Sequence, residues 1–504
     1  MPMGQALSWL AEQDPDRVAI VLDDEVITRR DLDRRANRMA RAYAGFGVGR
    51  DDVVAVVLPT SLEWFVAVMA VWKLGATPMP VSSRLPDAEL NPIIELADPT
   101  LVVGVAEGRL RTRRAVVPAG YEADAAIDAS PLPPAVARYY RAITSGGSTG
   151  RPKVIVNHQP SVVDPDERMP GMGRDAVVLV PSPLFHTAGF SASLNGVLHG
   201  NTVIVMSRFD PGRFLDLIDT HRVTYVQAVP TMLHRVWRLP DEVRAAHDVS
   251  SLDLVFSTGG PFPAWLKKAW ADWIGADKIL EIYGSSEGYG STIVTGEESL
   301  RKPGTVGLPR FGPPRILDDE GCDLGPNDVG VIYFKRPAEP NYHYLGAESR
   351  IRDGWETLGD MGYVDEDGYL FLVDRRVDMI VTGGENVFPA EVEAALEQHP
   401  AVRSSAVIGL PDDDLGQLVH AIVDVGSDDA GVSEVDESEL RAHLATRLTR
   451  YKIPRTFEVV TELLRSEAGK VRRSQLRSER LAGSAVNGRA GEDDDHAKRT
   501  RAQQ

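Results

Sequence analysis

Hydrophobic positions along the chain switch repeatedly between a spacing of two and a spacing of three to four, and each switch predicts an element. Thr28, followed three residues later by Asp31, opens an amphipathic stretch carrying Leu32, Ala36, Met39, Ala40 and Tyr43, which Gly45 and Gly47 close. Residues 53–58 read as a buried strand, 63–74 as a helix stopped at Gly75, and 78–81 as an extended piece. Further strands are predicted at 177–180, 202–206, 224–229 and 253–257, with helix-compatible segments between several of them, 209–221 the clearest. Such alternation predicts a large α/β region built on mostly parallel sheets. No repeat with a period of about 20–50 residues is evident, which argues against solenoids and propellers.

From Cys322 the pattern changes to short strands broken by Gly and Asp, at 329–334, 362–364 and 369–373. They predict a small β subdomain over about 310–375 that closes a large N-terminal domain, 1–375. A compact α+β unit is expected at 376–480. Pro389 stands in its first helical turn ahead of Val392, Ala395 and Leu396. Strands at 404–409 and 418–425, a helix at 437–448 and a strand at 456–460 follow. Residues 481–504 mix Gly, Ala and Arg with an acidic block at 492–495 and hold almost nothing to bury, so a disordered tail is expected.

Composition narrows the function. With 504 residues, 43% of them apolar and 25% charged, the chain can bury a large core. The 55 Lys+Arg against 73 Asp+Glu leave a net charge of −18, which disfavours general binding to nucleic acid or an anionic membrane. The longest apolar run, 64–72, is far short of the roughly 20 residues that span a bilayer. The first basic residue is Arg17, so the charged start of a secretory signal is missing. The lone Cys322 makes neither an internal disulfide nor a thiolate metal site. A cytoplasmic enzyme is expected.

The strongest chemical signal is Ile143-Thr144-Ser145-Gly146-Gly147-Ser148-Thr149-Gly150-Arg151-Pro152-Lys153. Its glycines let backbone N–H groups turn toward an anion, its hydroxyls add donors, and Lys153 supplies a point charge. It is not a Walker A loop, because Arg-Pro-Lys follows Gly150. Nor does it read as a surface linker, since it runs into the β-branched stretch Val154, Ile155, Val156.

This segment resembles the phosphate loop of the adenylate-forming superfamily, which includes acyl-CoA synthetases, nonribosomal adenylation domains and luciferases. Relatives usually read Thr-Ser-Gly-Thr-Thr-Gly-x-Pro-Lys-Gly; here Gly147 and Ser148 replace two threonines and Val154 the last glycine. Other motifs follow in the family's order. Pro183-Leu184-Phe185-His186 is similar to the segment whose histidine borders the acyl pocket, and a histidine there counts against an amino-acid substrate. Gly259-Gly260 resembles the turn on which adenine lies, with Pro261-Phe262 departing from the common Ala-Pro. Tyr283-Gly284-Ser285-Ser286-Glu287 resembles Tyr-Gly-x-Thr-Glu, which implies adenine stacking by Tyr283, a hydroxyl near phosphate from Ser286 and Mg²⁺ binding by Glu287. Asp360, in Gly354-Trp355-Glu356-Thr357-Leu358-Gly359-Asp360, falls where the family's aspartate accepts from both ribose hydroxyls. Arg375 of Asp374-Arg375 falls where an arginine also contacts ribose.

Two residues further on stands Val377, where the relatives hinge and Asp or Lys is common; a β-branched residue there favours extended backbone. Gly383-Gly384-Glu385-Asn386 with Pro389-Ala390-Glu391 resembles the loop that meets the pantetheine arm in CoA-using members. Tyr451-Lys452-Ile453-Pro454 resembles the lead-in to the last strand. Leu464-Arg465-Ser466-Glu467-Ala468-Gly469-Lys470 places Lys470 on the catalytic lysine.

The resemblance implies that a carboxylate attacks the α-phosphate of ATP, that Mg²⁺, the loop and Lys470 offset the repulsion, and that CoA then takes the acyl group. The motif style is closest to bacterial bile-acid/steroid-type acid–CoA ligases. Three alternatives stay open: a diazotase that adenylates nitrite for an aromatic amine, acyl transfer to a carrier protein, and a non-catalytic nucleotide-binding module. Retention of Lys470, Glu287 and Asp360 together argues against the last. Pocket candidates are His186, Phe190, Asn195, Val229, Gly260 and Tyr289, a mixture suited to an aromatic or polycyclic acid. The partners expected are a small acid and CoA, and the chain itself is expected as monomer or homodimer.

Overall fold

In the computed structural model the Thr28 hydroxyl accepts a hydrogen bond from the Asp31 amide at 3.2 Å, and the helix Arg29–Gly45 starts there as the pattern predicts. The structure describes residues 1–145, 152–167, 169–260, 262–412, 414–426, 435–466 and 469–482, with only the backbone of Ser145. Two units divide the chain: Met1–Asp328 with Ile332–Leu358 and Val364–Phe371, and Val329–Val331 with Gly359–Tyr363 and Leu372–Gln504. The architecture is mixed α/β, a large region of mostly parallel sheets and a smaller α+β unit, as expected.

In the larger unit a parallel core sheet runs Val18–Leu22, Thr202–Val205, Val177–Val180, Tyr225–Ala228, Leu254–Thr258, Ile279–Tyr283 in that spatial order. Thr292–Thr295 continues it antiparallel. The strands are short runs of Val, Ile and Leu because both faces are covered by helices. A second parallel sheet holds Thr77–Pro80, Val53–Val56, Leu101–Val103 and Ala115–Val117. A third, antiparallel, holds Ala142–Ser145, Lys153–Asn157 and Tyr342–Leu345.

The helix Leu62–Lys73 is buried along its whole length, which explains its apolar run without a membrane. At its end the Lys73 ammonium donates to Asp33 Oδ1 at 2.7 Å, Ser8 Oγ at 2.9 Å and the Gly4 carbonyl at 3.1 Å. Burial pulls this amine down from its ordinary value while Asp33 opposes the shift. The network ties three helices, and losing one partner of such a pair costs about 3–5 kcal/mol. Gly4 is needed at this crossing, because a Cβ would lie 2.7 Å from the Lys73 backbone. Among the described residues no helix is long and apolar enough to cross a membrane.

Several elements escape the sequence pattern. The helix Met3–Gln13 has neither a capping side chain nor an acid in its first turn, so it carries no start signal. Leu101–Val103 and Ala115–Val117 are three residues each, too short to show a period.

In the smaller unit, Ser404–Asp412 and Gly416–Asp424 form a hairpin, and Thr456–Val460 adds parallel to the second strand. Helices Pro389–Leu396 and Glu437–Ala445 bury Val392, Leu396, Leu440 and Leu444 against Val407, Val419 and Val423. Pro389 occupies the first helical turn as predicted. Residues 473–482 are helical, and 483–504, within the expected tail, lie outside the described residues.

Candidate active site

The motif residues of the larger unit gather where parallel strands end. Tyr225–Ala228 delivers Val229, Leu254–Thr258 delivers Gly259 and Gly260, and Ile279–Tyr283 delivers Tyr283 to Glu287. These strands are adjacent and parallel, so their carboxyl ends share one edge. Ligands of open α/β sheets bind in the crevice outside that edge. Gly259 has φ of +90°, a conformation that admits a turn away from the strand. The strand carrying Tyr283 is fixed below by a buried pair, the Lys267 ammonium against the Glu281 carboxylate. Burial pushes the Glu281 carboxyl up against the pull of that lysine.

The antiparallel sheet brings the loop's two ends to the same place. Thr144 faces Val154 and Ser145 faces Lys153 across two antiparallel strands. Gly146, Gly147, Ser148, Thr149 and Gly150 lie outside the described residues. Lys153 places its ammonium 3.5 Å from Glu287 Oε1 and 4.4 Å over the Tyr344 ring. The Tyr344 hydroxyl donates to the same Oε1 at 2.6 Å. Burial and the adjacent carboxylate push the Tyr344 phenol up, which keeps it a donor. Glu287 itself is only 5% exposed. The Ser286 hydroxyl meets Thr187 Oγ1 at 2.6 Å, and the Ser286 carbonyl accepts from Asn157 Nδ2 at 2.9 Å.

The pocket candidates separate. His186 is the N-cap residue of Thr187–Leu198, its ring 4.3 Å from that of Phe185. Phe190, by contrast, is 1% exposed and sits in the core, edge-on to Trp64 and Trp72 with Arg141 over its ring. Asn195 turns its amide back to the Ser191 carbonyl at 2.7 Å. Tyr289 is buried at 4% exposure, stacked on Tyr342, and its hydroxyl meets no hydrogen-bond partner among the described residues.

In the smaller unit, Arg375 Nε lies 3.3 Å from Asp360 Oδ1, so the two expected ribose contacts adjoin. Asp374 instead accepts from the Ala390 amide, at the start of Pro389–Leu396, and burial raises its carboxyl. Val377 is 58% exposed on a turn that the Asp378 amide closes onto the Arg375 carbonyl. Lys470 ends a tight turn: its amide donates to Ser466 Oγ, its carbonyl accepts from the Ser466 amide, and Gly469 takes φ of +72°. Arg465 against Glu393 and Glu397, and Arg473 against Glu393 and Asp378, hold the flanks of that turn. Glu467 and Ala468 lie outside the described residues.

The profile of the AMP-binding enzyme family matches residues 7–339, and that of the AMP-binding enzyme C-terminal domain matches 391–470. The chain belongs to the AMP-binding enzyme family. It is an adenylate-forming enzyme. A 2-succinylbenzoate–CoA ligase of Bacillus licheniformis is 31% identical over 93% of this chain and 99% of the relative. A feruloyl-CoA synthase of an Amycolatopsis species is 33% identical over 93% and 96%. The solved o-succinylbenzoate coenzyme A synthetase of Bacillus subtilis, in complex with ATP and magnesium ion, superposes with a TM-score of 0.78. That likeness holds at 27% identity over 94% of this chain and 99% of that one.

Three features of this AMP-binding enzyme are not explained by its motifs. Val154 stands where relatives carry glycine because its side chain, fully buried in the strand Lys153–Asn157, packs with Ala142 and Val156. Asn157 and Thr187 support Ser286 from remote segments. Tyr344 reaches Glu287 from 57 residues away. Only the alternation of Tyr342, His343 and Tyr344, a strand signal, marked that segment.

Glu287 also fits the cation expected of it. It is a hard oxygen donor whose described partners, Tyr344 and Lys153, both meet Oε1. Among the described residues no group of three or more His, Cys, Asp or Glu is placed to hold a metal. Glu287 would offer a cation one carboxylate, and Mg²⁺ is commonly held by one or two carboxylates together with substrate phosphates and water.

Proposed function

We propose that this enzyme is an ATP-dependent, AMP-forming ligase that joins an aromatic or polycyclic carboxylic acid to CoA. The observation that carries the reading is the cluster at the strand ends, one buried carboxylate beside one lysine at the mouth of a hydroxyl-rich loop. The aromatic class rests on the relatives, named for 2-succinylbenzoate and ferulate.

In this reading Tyr283 and Gly259-Gly260 take the adenine, and Asp360 with Arg375 takes the ribose. Thr144 to Gly150 and Lys153 cradle the phosphates, and Ser286 offers a further hydroxyl. Glu287 holds Mg²⁺, which when bound neutralises phosphate charge. The acid needs no general base, because a carboxylate is already ionised at neutral pH. Its oxygen attacks the α-phosphate, pyrophosphate leaves, and Lys470 offsets the charge of the pentavalent state. The CoA thiolate then attacks the acyl carbon and AMP departs. Val377 is the hinge that turns the 376–480 domain between the two steps, and His186, Val229, Gly260 and Tyr289 border the acid.

Pyrophosphate release across a panel of benzoic, cinnamic and polycyclic acids, amino acids and nitrite, with and without CoA, tests the proposal. An aromatic or polycyclic acid should give the fastest release, and mass spectrometry should find its CoA thioester. Release with nitrite alone, or an acyl-AMP that CoA does not consume, would overturn the CoA-ligase reading.

A further inference from the structure

We infer that Tyr344 is a positioning residue for the cation site, fixing the Glu287 carboxylate so that Oε2 faces the incoming metal; this rests on the proposed role of Glu287. Two donors converge on Oε1, the Tyr344 hydroxyl at 2.6 Å and the Lys153 ammonium at 3.5 Å. No hydrogen bond from a described residue reaches Oε2. A glutamate carboxylate rotates easily about its last torsion, and one fixed oxygen removes that freedom.

The two donors are not equivalent. Lys153 has a flexible stem, a quarter of its side chain is exposed, and it stands at the end of the phosphate loop. A triphosphate in that loop draws the ammonium away from Glu287. Tyr344 cannot follow. It belongs to the strand Tyr342–Leu345, paired with Lys153–Asn157, and its ring lies edge-on to Tyr342 at 4.8 Å. Tyr342 is in turn held by Glu356 and by Ser349 Oγ at 2.8 Å, and Tyr289 stacks on its ring. Tyr344 is thus the donor that stays once Lys153 engages phosphate. A neutral phenol suits this task, because it orients the carboxylate without cancelling the charge that a cation needs. Partners that orient a ligating carboxylate commonly change metal affinity when lost.

Tyr344→Phe removes the hydroxyl and keeps the ring. With the full chain and a non-hydrolysable α,β-methylene ATP analogue, Mn²⁺ binding is followed by electron paramagnetic resonance. The variant should bind Mn²⁺ about tenfold or more weakly, while metal-free AMP binding stays within about twofold, a change of about 0.4 kcal/mol. Unchanged Mn²⁺ affinity, or an equal loss of metal-free AMP binding, would overturn the inference. Glu287→Gln separates the two claims. If that variant keeps the wild-type Mn²⁺ affinity, Glu287 is not the ligand, and the reading beneath the inference falls with it.

Discussion

Replacing Lys470 with alanine should lower the rate of adenylation by about 10²–10³-fold or more, the usual loss when one preorganised charge is removed from a transition state. The residue ends a turn that Ser466 closes and two arginine–carboxylate clusters flank, so the backbone that carries it is fixed. Alanine keeps that backbone, because the stabilising bonds use the amide and carbonyl of residue 470. ATP affinity should change only modestly, since the charge is assigned to the pentavalent state. If acyl-AMP is supplied with CoA, the variant should form thioester at close to the wild-type rate. Rapid-quench kinetics of each half-reaction read both effects. Equal loss in both would contradict the alternation of domains, and no loss in either would place the catalytic cation elsewhere.

Asp360→Ala should weaken AMP binding about tenfold or more, because a hydrogen bond to a charged acceptor contributes about 1.5–3 kcal/mol and two ribose hydroxyls would lose theirs. The variant also strips Arg375 of the carboxylate 3.3 Å away, so both expected ribose contacts are disturbed at once. Isothermal titration with AMP measures the loss. Wild-type affinity in a folded variant would remove Asp360 from the site.

What could be read from the sequence follows the range of the interactions. The caps and the parallel strands are local, and residues 177–180 and 456–460 fall as predicted because apolar runs and capping signals lie within a few positions. Gly259, Gly260 and Tyr283 to Glu287 were marked only by the resemblance of their short motifs, and the structure places each of these segments directly after a strand. Tyr344, Asn157 and Thr187 were not legible, because each acts through a partner 57 to 129 residues away and no local pattern announces that meeting. Phe190 shows the converse: its type and position suggested a pocket, whereas Trp64 and Trp72, far off in sequence, enclose it in the core.

The central claim is that a carboxylate oxygen attacks the α-phosphate of ATP, and isotope transfer tests it most directly. An aromatic acid labelled with oxygen-18 in both carboxylate positions is incubated with ATP, Mg²⁺, CoA and the enzyme, and the products are weighed by mass spectrometry. If the oxygen attacks the α-phosphate, a single labelled atom leaves on AMP and the other remains in the thioester carbonyl. Unlabelled AMP, or ADP with labelled inorganic phosphate, would contradict it.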